Sequence, residues 1–276
     1  MTPRAPRHQY LKPGDDKPRR GAWVSKLVLI WLLCVGMFLA MWIGSSFGTA
    51  WAVPIIFIVF VAVLAWRIQG AFRPGAVREI QAAQLERLRE HIPEAIAKCR
   101  TLLGRGLQPY YRAQVLLTLG ECAEMEGDFT EAAQLLVQAE GTLRTSRVNA
   151  VLRAQQLAVV AARRAFAHAA CGELDRAEAT LRTAGVRDGV PLAGALSSRA
   201  MLLVLARRGL KQQVLERLAV DSKLLRNALA FRDRALVAVI GAHAMGREVP
   251  AGSVDPALVP WITSAFPEAA AVLGGS

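Results

Sequence analysis

His168 and Cys171 are the two residues whose types and spacing come nearest to metal chemistry. They lie three positions apart in an alanine-rich segment, so they share one face of a helix. A zinc site needs three or four ligands, and two are not enough. The four cysteines, Cys34, Cys99, Cys122 and Cys171, contain no Cys-x-x-Cys pair, which favours a packing role in a reducing compartment. We therefore predict no metal site and no cofactor.

Acidic residues are dense in the stretch "GECAEMEGDFTE", which begins at Gly120. Carboxylates on adjacent turns of a helix usually form a solvated face, and binding of a basic peptide is the alternative. The sequence contains no phosphate-binding glycine loop, no Gly-x-Ser-x-Gly and no His-Glu-x-x-His. We predict that the chain is not an enzyme. The rival hypothesis, an enzyme with an unrecognised site, requires a deep polar pocket where titratable groups converge.

Charge is unevenly distributed along the chain, which carries a net +12. Residues 71–143 hold 8 basic and 10 acidic side chains, whereas residues 144–247 hold 18 basic and 7 acidic ones. The basic half fits an acidic segment of a protein partner, and an anionic membrane surface or a merely solvated face are the alternatives. Only Phe166 and Phe231 supply aromatic rings there, so a base-stacking platform for nucleic acid is not expected.

The elements that position these charges repeat along the chain. From Leu116 onward, small and apolar residues follow one spacing, and the pattern returns with decay further along. Small residues at these positions allow two antiparallel helices to approach closely, and a glycine makes the turn between them. The residues that define the repeat are Gly120, Gly127, Phe129 and Ala132 in the clearest copy, then Gly172 and Ala177, and then Gly209.

This spacing resembles the tetratricopeptide repeat, although Leu116 stands where that repeat usually has tryptophan and Arg144 where it has proline. The resemblance implies an antiparallel helical-repeat solenoid over residues 71–246, with a generic helical bundle as the alternative. In that register five side chains face a groove that would bind a partner: Glu121, Glu124, Arg199, Leu203 and Arg207. Residues 247–276 are predicted to cap the last repeat, with Asp255 starting a helix and Trp261 sealing the core.

Residues 27–66 contain no charge at all, and this length is enough for two membrane spans. We predict spans at Trp23–Ile43 and Trp51–Trp66 within a hairpin over residues 23–70, preceded by a disordered basic tail over residues 1–22. The flanking Lys and Arg residues predict that both termini are cytoplasmic. A buried soluble hairpin and a cleaved signal peptide are the alternatives. Gly36, Ala40 and Gly44 would pack the spans together or form a homo-oligomer.

The predicted fold class is thus all-α: a two-helix transmembrane hairpin followed by a tetratricopeptide-like solenoid. This layout is similar to that of bacterial inner-membrane proteins with two N-terminal spans and such repeats. It implies a multi-pass inner-membrane adaptor that recruits protein partners to the cytoplasmic face without catalysis. The alternative function is a hairpin that oligomerises or shapes the membrane, with the repeats regulating it.

Overall fold

The structure, a computed structural model, describes residues 74–184, 190–250 and 252–273. Every regular element in these ranges is helical, which confirms the all-α class for this part of the chain. The helices are α1 (Pro74–Leu88), α2 (Ile92–Leu103), α3 (Pro109–Glu126), α4 (Phe129–Arg144), α5 (Ala150–Ala170), α6 (Leu174–Ala184), α7 (Pro191–Arg207), α8 (Lys211–Ala228), α9 (Phe231–Met245), α10 (Val259–Ala265) and α11 (Ala270–Leu273). Short 3-10 turns lie at Pro256–Leu258 and Pro267–Ala269.

Helices that are neighbours in the chain are also neighbours in space. Each odd-numbered helix from α1 to α7 packs against the even-numbered helix that follows it, and α4 then packs against α5. The odd-numbered helices also contact one another, α1 with α3, α5 with α7 and α7 with α9. The side on which the odd-numbered helices meet is called the odd-helix face below.

The turn that follows each odd-numbered helix from α1 to α9 has the same geometry. At each turn one residue has a positive φ, and its N–H donates to the carbonyl three residues earlier. The N–H of the residue that follows it donates to the carbonyl five residues before that following residue. These bonds satisfy the carbonyls that a helix C-terminus leaves free. The five residues are Glu90, Gly127, Gly172, Gly209 and Gly246, at intervals of 37, 45, 37 and 37. Glu90 is the only non-glycine with positive φ among the described residues.

Small residues stand where the paired helices approach most closely. A Cβ added at Gly120 on α3 would lie 3.1 Å from the Cγ of Leu136 on α4, so a larger residue would push these helices apart. Ala132 and Ala177, the small residues named from the sequence in α4 and α6, are fully buried, and Phe129 is buried as well. Close approach of the α3–α4 pair therefore depends on the missing side chain at Gly120.

The predicted basic tail and the predicted spans, with Gly36, Ala40 and Gly44, lie outside the described residues. Within those residues, no helix combines the length and the apolar character needed to cross a bilayer. α5 is long enough at 21 residues, but it carries Arg153, Arg163 and Arg164, and a span needs about 20 mostly apolar residues. This finding corrects the prediction of a multi-pass inner-membrane protein with cytoplasmic termini.

Candidate functional site

Six charged side chains alternate in sign across the odd-helix face. Every odd-numbered helix from α1 to α9 contributes at least one of them, and each guanidinium binds a carboxylate of another helix. The ion-pair row consists of Arg87, Glu121, Arg163, Glu124, Arg199 and Asp233. Three positive and three negative charges make the row neutral as a whole. It ties together the five helices α1, α3, α5, α7 and α9.

Glu124 is the central carboxylate of the ion-pair row. Its Oε1 accepts a bond from Arg199 Nη1 at 2.9 Å, and its Oε2 accepts one from Arg163 Nη1 at 3.2 Å. Burial of Glu124 raises its pKa, but the charges of Arg199 and Arg163 outweigh burial, so the pKa lies below its usual value. The Arg163 pKa is raised, because Glu121 and Glu124 outweigh the effect of its own burial. Both groups are therefore charged at neutral pH.

Arg199 is fully buried, with 0% of its side chain exposed. Its Nη1 binds Glu124 and also Asp233 on α9. Its Cζ lies 3.7 Å from the centroid of the Phe166 ring, a distance at which the ring attracts the cation. Arg199 therefore joins α7 to α3, α5 and α9 at once.

The C-terminal segment, residues 255–273, crosses the odd-helix face. Trp261 Nε1 donates a hydrogen bond to the Glu124 carbonyl at 2.7 Å, and its ring stacks on Phe166 at 6.4 Å. Further along, Phe266 meets the His243 ring edge-on at 5.2 Å, and Glu268 approaches Arg207 at 3.8 Å. This segment contacts α3, α5, α7 and α9, so it lies across part of the face on which the sequence predicted a groove.

A cavity of about 320 Å³ stays open beside the C-terminal segment, between α1, α3, α9 and Trp261. Its charged lining comes mostly from the ion-pair row, together with Arg232, Glu90 and Asp255. Arg232 donates to the Met125 carbonyl at 2.9 Å and pairs with Glu90 at 3.6 Å. The apolar lining of the cavity includes Met125, Leu258 and Trp261 inside, with Leu88 and Phe231 at the rim. Leu88 is 67% exposed and Phe231 is 60% exposed.

The five side chains predicted to line a groove are mostly engaged within the fold. Arg199 and Leu203 are fully buried, and Glu121 and Glu124 are buried in the ion-pair row. Arg207 donates through Nη1 to the carbonyls of Ala169 and Ala170 at 2.6 and 2.8 Å. It thereby caps the C-terminus of α5, where the helix dipole favours a cation. The structure brings Glu121, Glu124 and Arg199 together, and it places Leu203 in the core and Arg207 at a helix end.

His168 and Cys171 lie near a second, smaller cavity rather than in a joint ligand set. His168 Nδ1 lies 2.7 Å from the Glu173 carboxylate, while Cys171 Sγ lies 3.6 Å from the Thr130 hydroxyl. Burial raises the pKa of Cys171, so its thiol is less ionised than usual at neutral pH. Among the described residues, no three His, Cys, Asp or Glu side chains are grouped as metal ligands.

Sequence reasoning missed several residues of the site, namely Arg87, Arg163, Arg232, Asp233 and the rim residues Leu88 and Phe231. One signal for α1 was present in the sequence. Glu90 lies 37 positions before Gly127, at the turn that ends α1. Because that turn lacks glycine, the sequence pattern did not indicate α1, and Arg87 and Leu88 were missed with it. The pairing of Arg163 and Asp233 has no comparable signal in the sequence.

Comparisons of the chain with protein-family models, with curated proteins and with solved structures find no match in any of the three.

Proposed function

We propose that the chain is a helical-repeat binding module of the tetratricopeptide kind, which holds a protein partner and performs no catalytic step of its own. Five turns of one geometry, separated by intervals of 37, 45, 37 and 37 residues, support a repeat of two antiparallel helices. Contacts between successive pairs support a stacked order. Proteins of this architecture bind partners along the surface that their repeated helices share.

The observation that carries the proposal is the exposed apolar rim of the cavity. Leu88 and Phe231 come from the first and last long helices, yet both lie at the mouth of the same cavity. Large apolar side chains that are exposed together over a cavity are typical of a binding surface. An apolar side chain of a partner that enters the cavity would remove both residues from water.

The electrostatics of the cavity fit binding better than catalysis. The carboxylates of the ion-pair row are each held by a guanidinium, and Glu124 stays ionised because its pKa is lowered. A general acid or base needs a pKa near the working pH, which opposite charges at this distance prevent. The apolar part of the lining, with Leu88 and Phe231 at the rim, is what an apolar anchor residue of a partner would contact. The contact surface that we propose is therefore the rim and cavity, not the buried Arg199 and Leu203.

Selection of peptides from a displayed random library against the full chain tests this function. We expect the selected peptides to share one bulky apolar residue and to bind in the micromolar range. Leu88→Ala combined with Phe231→Ala should weaken them about 30-fold, since each exposed side chain loses about 1 kcal/mol of burial. Val220→Ala and Val151→Ala are the matched controls, because both are exposed apolar residues that do not line the cavity. Peptides that bind the double variant as well as the parent chain would reject the cavity as the site.

A further inference from the structure

The lining of the cavity carries more negative than positive charge. Five carboxylates line it against three guanidinium groups, and these eight side chains are Glu90, Glu121, Glu124, Asp233 and Asp255, and Arg87, Arg163 and Arg232. Arg199 does not line the cavity, but it binds two of the carboxylates, Glu124 and Asp233. Even when Arg199 is counted, the carboxylates exceed the guanidinium groups by one. The cavity therefore differs in sign from the chain as a whole, which has a net charge of +12.

Two of the five carboxylates, Glu90 and Asp255, are exposed, and they are called the rim carboxylates below. The Glu90 side chain is 64% exposed, and its Oε1 lies 3.6 Å from Nη2 of Arg232. Asp255 is exposed as well, and its Oδ1 accepts a bond from the Ala257 N–H at 2.9 Å. Among the ion pairs of the described ranges, none involves Asp255. A partner that covers the cavity can therefore reach both rim carboxylates.

Exposed apolar side chains line the same cavity as the rim carboxylates. Leu88 lies two positions before Glu90 at the end of α1, and Phe231 is the first residue of α9. Lysine and arginine side chains pack their aliphatic stems on apolar surface while their charged ends reach a carboxylate. The exposed ring of Phe231 also attracts a cation that approaches its face. A basic side chain can therefore contact both kinds of lining at once.

We infer that the partner is a basic protein segment, in which a lysine or arginine next to the apolar anchor residue binds Glu90 and Asp255. This inference rests on the proposed function and adds the chemistry of the partner. A bound segment removes water from the rim carboxylates, and loss of that water is costly unless a cation replaces it. A wholly apolar segment supplies no such cation, and a small free amine would leave the apolar rim exposed.

The test uses the full chain and four fluorescent peptides of about twelve residues each. The first has a central leucine flanked by lysine and arginine, the second has glutamine at the basic positions, and the third has glutamate there. The fourth keeps the basic residues and has alanine for leucine. Fluorescence anisotropy gives the dissociation constants at moderate salt, which screens the long-range field of the basic chain. We expect the basic leucine peptide to bind about fivefold or more tightly than each of the others.

Charge-neutral variants of nearly equal size locate the contact. Glu90→Gln combined with Asp255→Asn should weaken the basic leucine peptide about fivefold and leave the glutamine peptide unchanged. Asp255→Asn alone should give part of this loss, because it disturbs no ion pair of the fold and asparagine caps a helix as well as aspartate does. Glu248→Gln is the matched control, since Glu248 is exposed and does not line the cavity. Circular dichroism verifies that each variant is folded.

Each other outcome overturns the inference in a distinguishable way. If the glutamine or the glutamate peptide bound as tightly as the basic one, the basic partner would be rejected and the proposed function would stand. If the alanine peptide bound equally well, or if Glu248→Gln caused an equal loss, the contact would be general attraction of cations and not the rim. Failure of all four peptides to bind would reject both the inference and the cavity as a peptide site.

Discussion

Arg199 and Glu124 are 75 positions apart in the chain, and they bond at 2.9 Å in the protein interior. The pair joins α7 to α3 across the intervening α5. Other bonds also connect the basic second half to the acidic first half, including Arg163 with Glu121 at 2.8 Å and Arg164 with Glu140 at 2.5 Å. Part of the charge asymmetry in the sequence is therefore resolved inside the fold rather than by a partner.

Removal of the charge on Glu124 should be strongly destabilising. Glu124→Gln leaves Arg199 and Arg163 with too little negative charge in a buried environment, and such a change costs about 3–5 kcal/mol. Urea unfolding followed by circular dichroism measures the difference in free energy of unfolding. The combined variant Glu124→Gln, Arg199→Met, Asp233→Asn is the control, and it should recover most of the loss. A single variant as stable as the parent chain would contradict a stabilising role for the ion-pair row.

Stability should fall in acid partly because of Glu124. The folded pKa of Glu124 lies below the value of about 4.3 expected for an unfolded chain. Its contribution is therefore complete above the unfolded pKa and is lost as pH falls through the folded pKa. Urea unfolding between about pH 7 and pH 3 should show this loss in the parent chain. The loss should be smaller in the variant that lacks Glu124, Arg199 and Asp233, and equal slopes would assign the acid sensitivity to other carboxylates.

Glu90→Gly should stabilise the protein despite removal of a charged side chain. Glu90 has a φ of 62° at a turn where the four equivalent positions are glycine. Relief of this conformation contributes about 1 kcal/mol, and the lost 3.6 Å pair with Arg232 offsets only a few tenths of it because Glu90 is mostly exposed. Thermal unfolding measures the change. Glu90→Ala is the control, since it loses the same ion pair and keeps the strain, and it should not stabilise.

The sequence predicted the local pattern well and the long-range pairing poorly. Gly127, Gly172 and Gly209 end helices because a left-handed turn favours glycine, and this preference can be read from single positions. The surroundings of the predicted groove residues Glu121, Glu124 and Arg199 depend instead on which helices pack together across the odd-helix face. That packing brings residues 75 positions apart in the chain into contact. Spacing within one repeat contains no information on such contacts, so charged side chains that looked exposed turned out to be paired and buried.

The C-terminal segment offers the last test, because Trp261 attaches it to the odd-helix face in two separable ways. Trp261→Phe keeps an aromatic ring against Phe166 but removes the 2.7 Å bond to the Glu124 carbonyl. That carbonyl keeps its bond from the Gly127 N–H, so the cost should be only about 1 kcal/mol. Trp261→Ala also removes the buried ring and should cost about 3–5 kcal/mol.

Urea unfolding of both variants gives these costs, and Thr263→Val is the control, because it removes only the local bonds of a hydroxyl on the same short helix. Hydrogen exchange should be faster within residues 255–273 in the alanine variant, where the released segment exposes its amides. Equal costs for the phenylalanine and alanine variants would mean that the hydrogen bond, not ring packing, holds the segment. If neither variant lost stability, residues 255–273 would not be anchored through Trp261, and the odd-helix face would be open to a partner along its length.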